Sequence, residues 1–150
     1  MEKAQAQTYA ASGVQYDLLD PFKVAAQRAA AETNGYGGVQ EERGTRGESA
    51  YVWDAGDRYM AMVTEGLGTK NLVADAVRPL SGRTHYDTIA QDTVAMIVND
   101  LVTVGARPNI VNMYLSTGSS EWFRDQERTD DLVRGWAEAC KESGATWGGG

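Results

Sequence analysis

Residues Thr64 to Lys70 read T-E-G-L-G-T-K and follow the apolar run Y-M-A-M-V. Glycines such as Gly66 and Gly68 let a backbone approach a ligand closely, and free amides in such a loop can point at anionic oxygens. Glu65 places a carboxylate before them, Thr69 a hydroxyl after them, and Lys70 a mobile positive charge at the end. The run is not a Walker A loop, in which Gly-Lys-Ser/Thr follows four free positions; here the lysine follows threonine. Two readings stay open on the residues alone: a turn that ends a strand, or a loop that cradles phosphate.

A second set of groups lies on a helix expected from Asp87 to Ala106. At about 100° per residue, Asp92, Met96, Asn99, Asp100 and Thr103 share one arc, and Ala90, Val94, Ile97, Val98, Leu101 and Val104 share the opposite one. The polar arc is either a solvated face or part of a hard-metal site, since carboxylates ligate Mg²⁺ and Mg²⁺ often bridges an acid to a nucleotide phosphate. The helix contains no Lys or Arg, which is unusual for a merely solvated face. Other groups carry less. One histidine, His85, and one cysteine, Cys140, cannot build a Cys/His zinc site. His85 reads as a surface or capping residue, and Cys140 and Trp136 as core. The run S-S-E-W-F-R-D-Q-E-R reads as a solvated segment packed by Trp122, or a lid near a site.

Composition sets the frame for these groups. The chain has 150 residues, 42% of them hydrophobic and 23% charged, with formal net charge -7. Those values fit a globular domain and argue against a protein that coats DNA or RNA, which relies on clustered Lys and Arg. A nucleotide ligand remains compatible. A single cysteine excludes an intrachain disulfide and fits a reduced, cytoplasmic setting. The polar start M-E-K-A-Q-A-Q-T-Y-A shows no signal-peptide pattern, and no apolar run is long enough to span a membrane.

The elements that must position the site follow from periodicity and punctuation. Residues 1 to about 19 read as irregular. L-L-D-P-F-K-V-A-A-Q-R-A-A-A-E-T-N-G reads as a helix capped by Asp20, with Pro21 first and Asn34-Gly35 as the stop. The stretch from Gly35 to Ser49 reads as a Gly-rich loop, so residues 1–49 form an N-terminal segment and residues 50–150 an α+β domain. A-Y-V-W-D-A-G-D-R-Y-M-A-M-V-T reads as a hairpin apolar on both faces. Thr88 and Gln91 fit a capping box for the 87–106 helix. N-I-V-N-M-Y-L-S reads as a strand, and T-D-D-L-V-R-G-W-A-E-A-C-K-E-S-G as a helix whose stripe is Leu132, Val133, Trp136, Ala137 and Cys140. A-T-W reads as the start of a last strand. The expected order β-β-α-β-α-β suits a mixed, mostly antiparallel sheet with helices on one face, the other face covered by a second copy of the chain.

Taken together, E-G-L-G-T-K, D-T-I-A-Q-D-T-V-A-M-I-V-N-D-L-V-T-V-G-A-R-P, Y-L-S-T-G-S and G-A-T-W-G-G-G resemble, in order and spacing, the aminoimidazole ribonucleotide synthetase (phosphoribosylformylglycinamidine cyclo-ligase) family of purine biosynthesis. Its members read D-G-V-G-T-K, D-T-I-G-x-D-L-V-A-M-x-V-N-D-L, Y-x-A-T-G and V-G-G-E-T. Y-A-A-S-G-V-Q-Y-D-L-L-D-P-F-K also looks like the family's Y-x-x-A-G-V-D start. The resemblance implies an α+β N-terminal domain whose sheet pairs with that of a second subunit into a barrel. It also implies that this chain stops before the glycine-rich loop and a C-terminal domain. The implied reaction is ATP-dependent ring closure of a small ribonucleotide, formylglycinamidine ribonucleotide, with ATP and Mg²⁺ and with neither nucleic acid nor membrane as partner.

Position by position, the resemblance makes Glu65 and Asp100 acids that bind Mg²⁺ and nucleotide, and Lys70 the lysine that meets phosphate. It sets Gly66, Gly68, Thr69 and Asn99 beside them, matches Asp87 and Asp92 to the two acids of D-T-I-G-x-D, and makes Gly148, Gly149 and Gly150 the approach to the glycine-rich loop. Lys70 and Asp92 are the residues it implicates in catalysis. Glu65 for Asp, Leu67 for Val, Ala90 for Gly, Thr93 for Leu and Gln15 for Asp mark a divergent branch. Another ATP-dependent phosphoryl-transfer activity of the superfamily, or a non-catalytic ATP-binding dimerisation module, is the alternative.

Overall fold

The computed structural model describes residues 15–149, so the family-like start at 9–14 and Gly150 lie outside the described residues. The chain divides into two compact units, Met1–Gln40 and Glu41–Gly150. In the first, α1 (Tyr16–Glu32) begins earlier than the sequence suggests, with Gln15 at its N-cap. The Gln15 carbonyl accepts from the amides of both Leu18 and Leu19 at 3.1 Å. Asp20 therefore lies inside the helix rather than capping it, and Pro21 is internal. The stop falls where expected: the Thr33 hydroxyl donates to the Ala30 carbonyl at 2.7 Å, and Gly35 takes φ 89°.

The strand β1 (Gln40–Glu41) closes the first unit and opens the second, in which β2 (Tyr51–Asp54) and β3 (Tyr59–Met62) form an antiparallel hairpin. Its turn is made by the Asp54 carboxylate accepting the Gly56 amide at 2.7 Å, with Gly56 at φ 93°, a conformation that favours glycine. Register puts Tyr51 opposite Met62, Trp53 opposite Met60, and Val52 opposite Ala61. Cross-strand partners share a face, so Val52, which is buried, and Ala61 occupy one face. Tyr51, Trp53, Met60 and Met62 occupy the other, where Met62 is 60% exposed.

Four helices and two small sheets make up the described α+β fold. The expectation of one mixed sheet is corrected: order β1-β2-β3 forms one sheet, and β4 (Ile110–Asn112) pairs in parallel with β5 (Thr146–Gly149) in another. The run after Met62 leaves strand geometry within the glycine-rich loop, and β4 is only three residues long. A cleft lined by residues 61–65 and 110–114 separates them.

Between the sheets come α2 (Lys70–Ser81) and α3 (Tyr86–Thr103), then α4 (Gln126–Ser143) between β4 and β5. No element is expected from sequence between Lys70 and Tyr86, so α2 is an addition. α3 starts one residue before Asp87 and is not capped by Thr88. The Thr84 hydroxyl accepts the Tyr86 amide at 3.2 Å, and His85 takes φ 61° at the N-cap, its Nε2 2.8 Å from the Ser81 hydroxyl. At the far end the Ala106 amide reaches the Leu101 carbonyl at 3.0 Å, and the Gly105 amide reaches that of Val102 at 3.0 Å. This Schellman closure uses the left-handed Gly105. Gly144 ends α4 in the same way.

Helices α3 and α4 make the most extensive packing in the fold. Their crossing is close because Gly135 has no side chain: a Cβ there would lie 2.3 Å from the Asp87 carbonyl oxygen. That contact turns the buried stripe of α4 to Leu132, Gly135, Trp136, Ala139 and Cys140. Val133 and Ala137, expected on it, are exposed. Ile89, Ala90, Val94 and Val111 complete the core beneath.

Candidate functional site

The loop after β3 opens onto a cleft of about 320 Å³, within the range of small-molecule sites. Glu65, Gly66 and Gly68 form one rim. Tyr114 to Gly118, the Y-L-S-T-G run that follows β4, form another. Asn71 and Asp75 of α2, Trp122 from the 3₁₀ turn Ser120–Arg124, and Trp136 of α4 complete the polar and aromatic lining. The cleft is thus lined both by core residues of the α3–α4 crossing and by the loops that leave β3 and β4. Glu65 also lines the neighbouring cleft between 61–65 and 110–114.

Asp75 joins the cleft to the helices. It accepts the Tyr86 hydroxyl at 3.1 Å and lies 3.8 Å from an Arg128 guanidinium nitrogen. Burial, together with the Asp75 charge and hydrogen bond, pushes the Tyr86 phenol above its ordinary range, so it stays a neutral donor. Arg128 crosses the Trp122 ring at 4.3 Å and donates to the Trp122 carbonyl at 2.7 Å.

The other sequence-expected residues distribute over four places. Lys70, the first residue of α2, pairs with Asp92 at 2.9 Å, beside His85 and Thr88 in a second, open groove lined by α2 and α3. Both partners are about half exposed; such a pair contributes about 0–1 kcal/mol and is easily exchanged for another anion. Thr69 caps α2 by position, without a side-chain hydrogen bond.

Asp87 serves packing. Its carboxylate accepts the Thr88 amide at 2.9 Å and takes Arg83 at 3.3 Å and Arg134 at 3.2 Å. Burial would raise its pKa, but the Thr88 amide and the two arginines outweigh that and hold it below the usual carboxylate value. Asn99 is exposed and Asp100 half-buried, and neither lines the cleft. Along α3, Asp92 and Asp100 are about 12 Å apart at 1.5 Å per residue, and Asp87 and Asp100 about 20 Å, so Asp100 does not share one ion with the other two. Gly148 and Gly149 belong to β5. A Cβ on Gly148 would meet the Asn112 side chain at 2.6 Å, so this glycine allows β5 to lie against β4.

Among the described residues no group of three or more His, Cys, Asp or Glu side chains is placed to hold a metal alone. The donor chemistry of the cleft still fits a metal–nucleotide complex. Among the described residues Glu65 and Asp75 are its only charged side chains and would repel a bare triphosphate. Mg²⁺ normally takes one or two carboxylates and completes its shell with phosphate and water. Sequence reading finds Glu65 and the glycines through their loop pattern. It misses Asn71, Asp75 and Trp136, because nothing local says that the inner sides of α2 and α4 face the β3 loop. The Y-L-S-T-G run directly after a strand is the one signal that marks the second loop of the lining.

The family described as AIR synthase related protein, N-terminal domain, matches residues 47–150. The chain belongs to this family. Its relatives include proteins named phosphoribosylformylglycinamidine cyclo-ligase. That of Pyrococcus furiosus is 34% identical over 146 residues, covering 95% of this chain and 40% of the relative. That of Sorangium cellulosum is 34% identical over 143 residues, covering 95% of this chain and 38% of the relative. That of Carboxydothermus hydrogenoformans is 44% identical over 87 residues, covering 58% and 22%. The chain thus spans well under half the length of these relatives. No solved structure matches the chain.

Proposed function

We propose that this chain is the nucleotide-binding portion of an ATP-dependent cyclo-ligase of purine biosynthesis, which converts formylglycinamidine ribonucleotide and ATP to aminoimidazole ribonucleotide, ADP and phosphate. The observation that carries the proposal is the meeting of two distant runs, Glu65–Gly68 and Tyr114–Gly118, in the lining of one cleft. Both runs belong to the portion of the chain that matches the family.

In this reading Glu65 and Asp75 hold the metal of Mg²⁺–ATP, and the amides of residues 66–68 face phosphate oxygens. Lys70 leaves Asp92 for the phosphate, an exchange that costs about 0–1 kcal/mol. Asp100 and Asn99 lie farther along α3 and serve a more distant part of the ligand. When bound, Mg²⁺–ATP supplies the phosphoryl group that turns an amide oxygen into a leaving group. The chain's own groups then position the reactants and neutralise charge. The open aromatic and methionine face of the β2–β3 hairpin is the surface for a second copy. No described helix is long and apolar enough to cross a membrane, and we place the enzyme in the cytoplasm.

Isothermal titration of Mg²⁺–ATP tests the reading. Glu65→Gln, Lys70→Ala and Asp100→Ala should each weaken binding at least about tenfold, the size of a lost charge-assisted contact. Parent-like binding by all three variants would refute these roles.

A further inference from the structure

The cleft has one wall that the loop motifs do not account for. Trp122 is half-buried in its lining and is fixed from three sides. The Arg128 guanidinium covers its ring at 4.3 Å. Tyr86 meets it edge-on at 5.7 Å and Phe123 at 5.2 Å. Arg128 is itself held: it is 15% exposed, lies 3.8 Å from both Asp75 and Asp125, and bonds the Trp122 carbonyl. A side chain so anchored loses little further freedom when a ligand packs on it, which favours its use as a binding surface.

A second observation concerns Trp136, which shares the lining and is 3% exposed. Its indole N–H finds no acceptor among the described residues. Buried donors are nearly always satisfied, and an orphan in a cleft wall marks a position that a ligand or ordered water completes. Asn71, Asn112 and Thr117, side chains that can read a heterocycle's edge, lie around the same space.

We propose that Trp122 is the specificity-determining residue of this cleft, stacking on the planar base of a nucleotide, with Arg128 as the positioning residue that holds the indole in place. The inference rests on the nucleotide reading above and adds to it the end of the cleft that takes the base.

The test compares Mg²⁺–ATP with Mg²⁺–tripolyphosphate, which has the phosphates and no base, by titration calorimetry on the 150-residue chain, with adenosine as a third probe. Stacking of a base on an aromatic ring corresponds to roughly a five- to hundredfold change in affinity. Trp122→Leu should therefore weaken Mg²⁺–ATP and adenosine at least about fivefold and leave Mg²⁺–tripolyphosphate unchanged, and Trp122→Phe should restore most of the loss. Arg128→Met should lower the preference for ATP over tripolyphosphate, and the double variant should lose no more than Trp122→Leu alone.

Equal weakening of ATP and tripolyphosphate in Trp122→Leu, or no weakening of either, overturns the proposal while the nucleotide reading stands. Trp122-dependent binding of adenosine without binding of tripolyphosphate supports the stacking wall and removes the phosphate roles of Glu65 and Lys70. A parent chain that binds none of the three probes overturns both.

Discussion

Gly135 is the position where one methyl group should cost the most. A Cβ there would sit 2.3 Å from the Asp87 carbonyl oxygen, 2.6 Å from its Cα and 2.8 Å from its carbonyl carbon. All three are backbone atoms, so no rotamer change relieves the clash. Weak carbon–oxygen contacts in proteins settle at about 3.3–3.6 Å, so α3 and α4 would have to separate by roughly 1 Å. Overpacking of this kind costs about 1–3 kcal/mol, occasionally more. Replacing glycine by alanine inside a helix returns roughly 1 kcal/mol. Separation would also stretch the Arg134–Asp87 contact, now 3.2 Å.

The clash should win, leaving Gly135→Ala less stable by up to about 2 kcal/mol. At about 2–4 °C per kcal/mol for a chain of this size, Tm should fall by up to roughly 8 °C. Thermal and urea unfolding followed by circular dichroism measure this directly. Gly118→Ala is the control: nothing lies within 4 Å of a Cβ there, and its effect should stay within about 0.5 kcal/mol. A Gly135→Ala protein more stable than the parent by about 1 kcal/mol, the full helix-propensity gain with no clash to oppose it, would refute the close crossing of α3 and α4.

Two further outcomes follow. Asp87 and Asp125 both have depressed pKa values. At Asp125 the hydrogen bond from Arg78 is the leading cause, opposed by burial and helped by the Arg128 amide; at Asp87 the Thr88 amide and the arginines overcome burial. Their contribution should be complete above the unfolded carboxylate value of about 4. It should be lost as pH falls through the lower folded values, so Asp87→Asn with Asp125→Asn should flatten the acid limb of stability against pH, and an unchanged limb would count against both assignments. Sedimentation of the parent should show a dimer that Met62→Lys converts to monomer without lowering Tm; a parent that stays monomeric at micromolar concentration removes the hairpin face as an interface.

Legibility in the sequence followed the length and purity of each signal. The helix at 87–106 is long, strongly periodic and closed by Gly105, and it emerged within a few residues of its expected bounds. The hairpin emerged because aromatic and β-favouring runs flank Ala55-Gly56-Asp57. α2 stayed hidden: it has 12 residues, carries Pro79 in its last turn, and follows a loop whose chemistry invites a different reading. The shift of the α4 stripe from Val133 and Ala137 to Gly135 and Ala139 was also hidden, because a glycine on a helix face looks like a flaw until a neighbouring backbone occupies its place. Site residues on loops carried their own pattern, as Glu65 and the glycines did. Asp75 and Trp136 acquire their position only from how three helices pack, which no local run encodes.

The parallel pairing of β4 with β5 constrains the order in which the molecule can assemble. Antiparallel neighbours such as β2 and β3 can zip from their own turn, a microsecond event for an isolated hairpin. Ile110 and Thr146 have no shared turn; the connection between them is α4 together with its 3₁₀ approach. Their ladder is therefore a non-local closure, entropically costly until α4 has docked on α3 to bring the ends together. The strand pair whose β4 leads into the Tyr114–Gly118 run of the cleft therefore becomes ordered after α3 and α4 have docked.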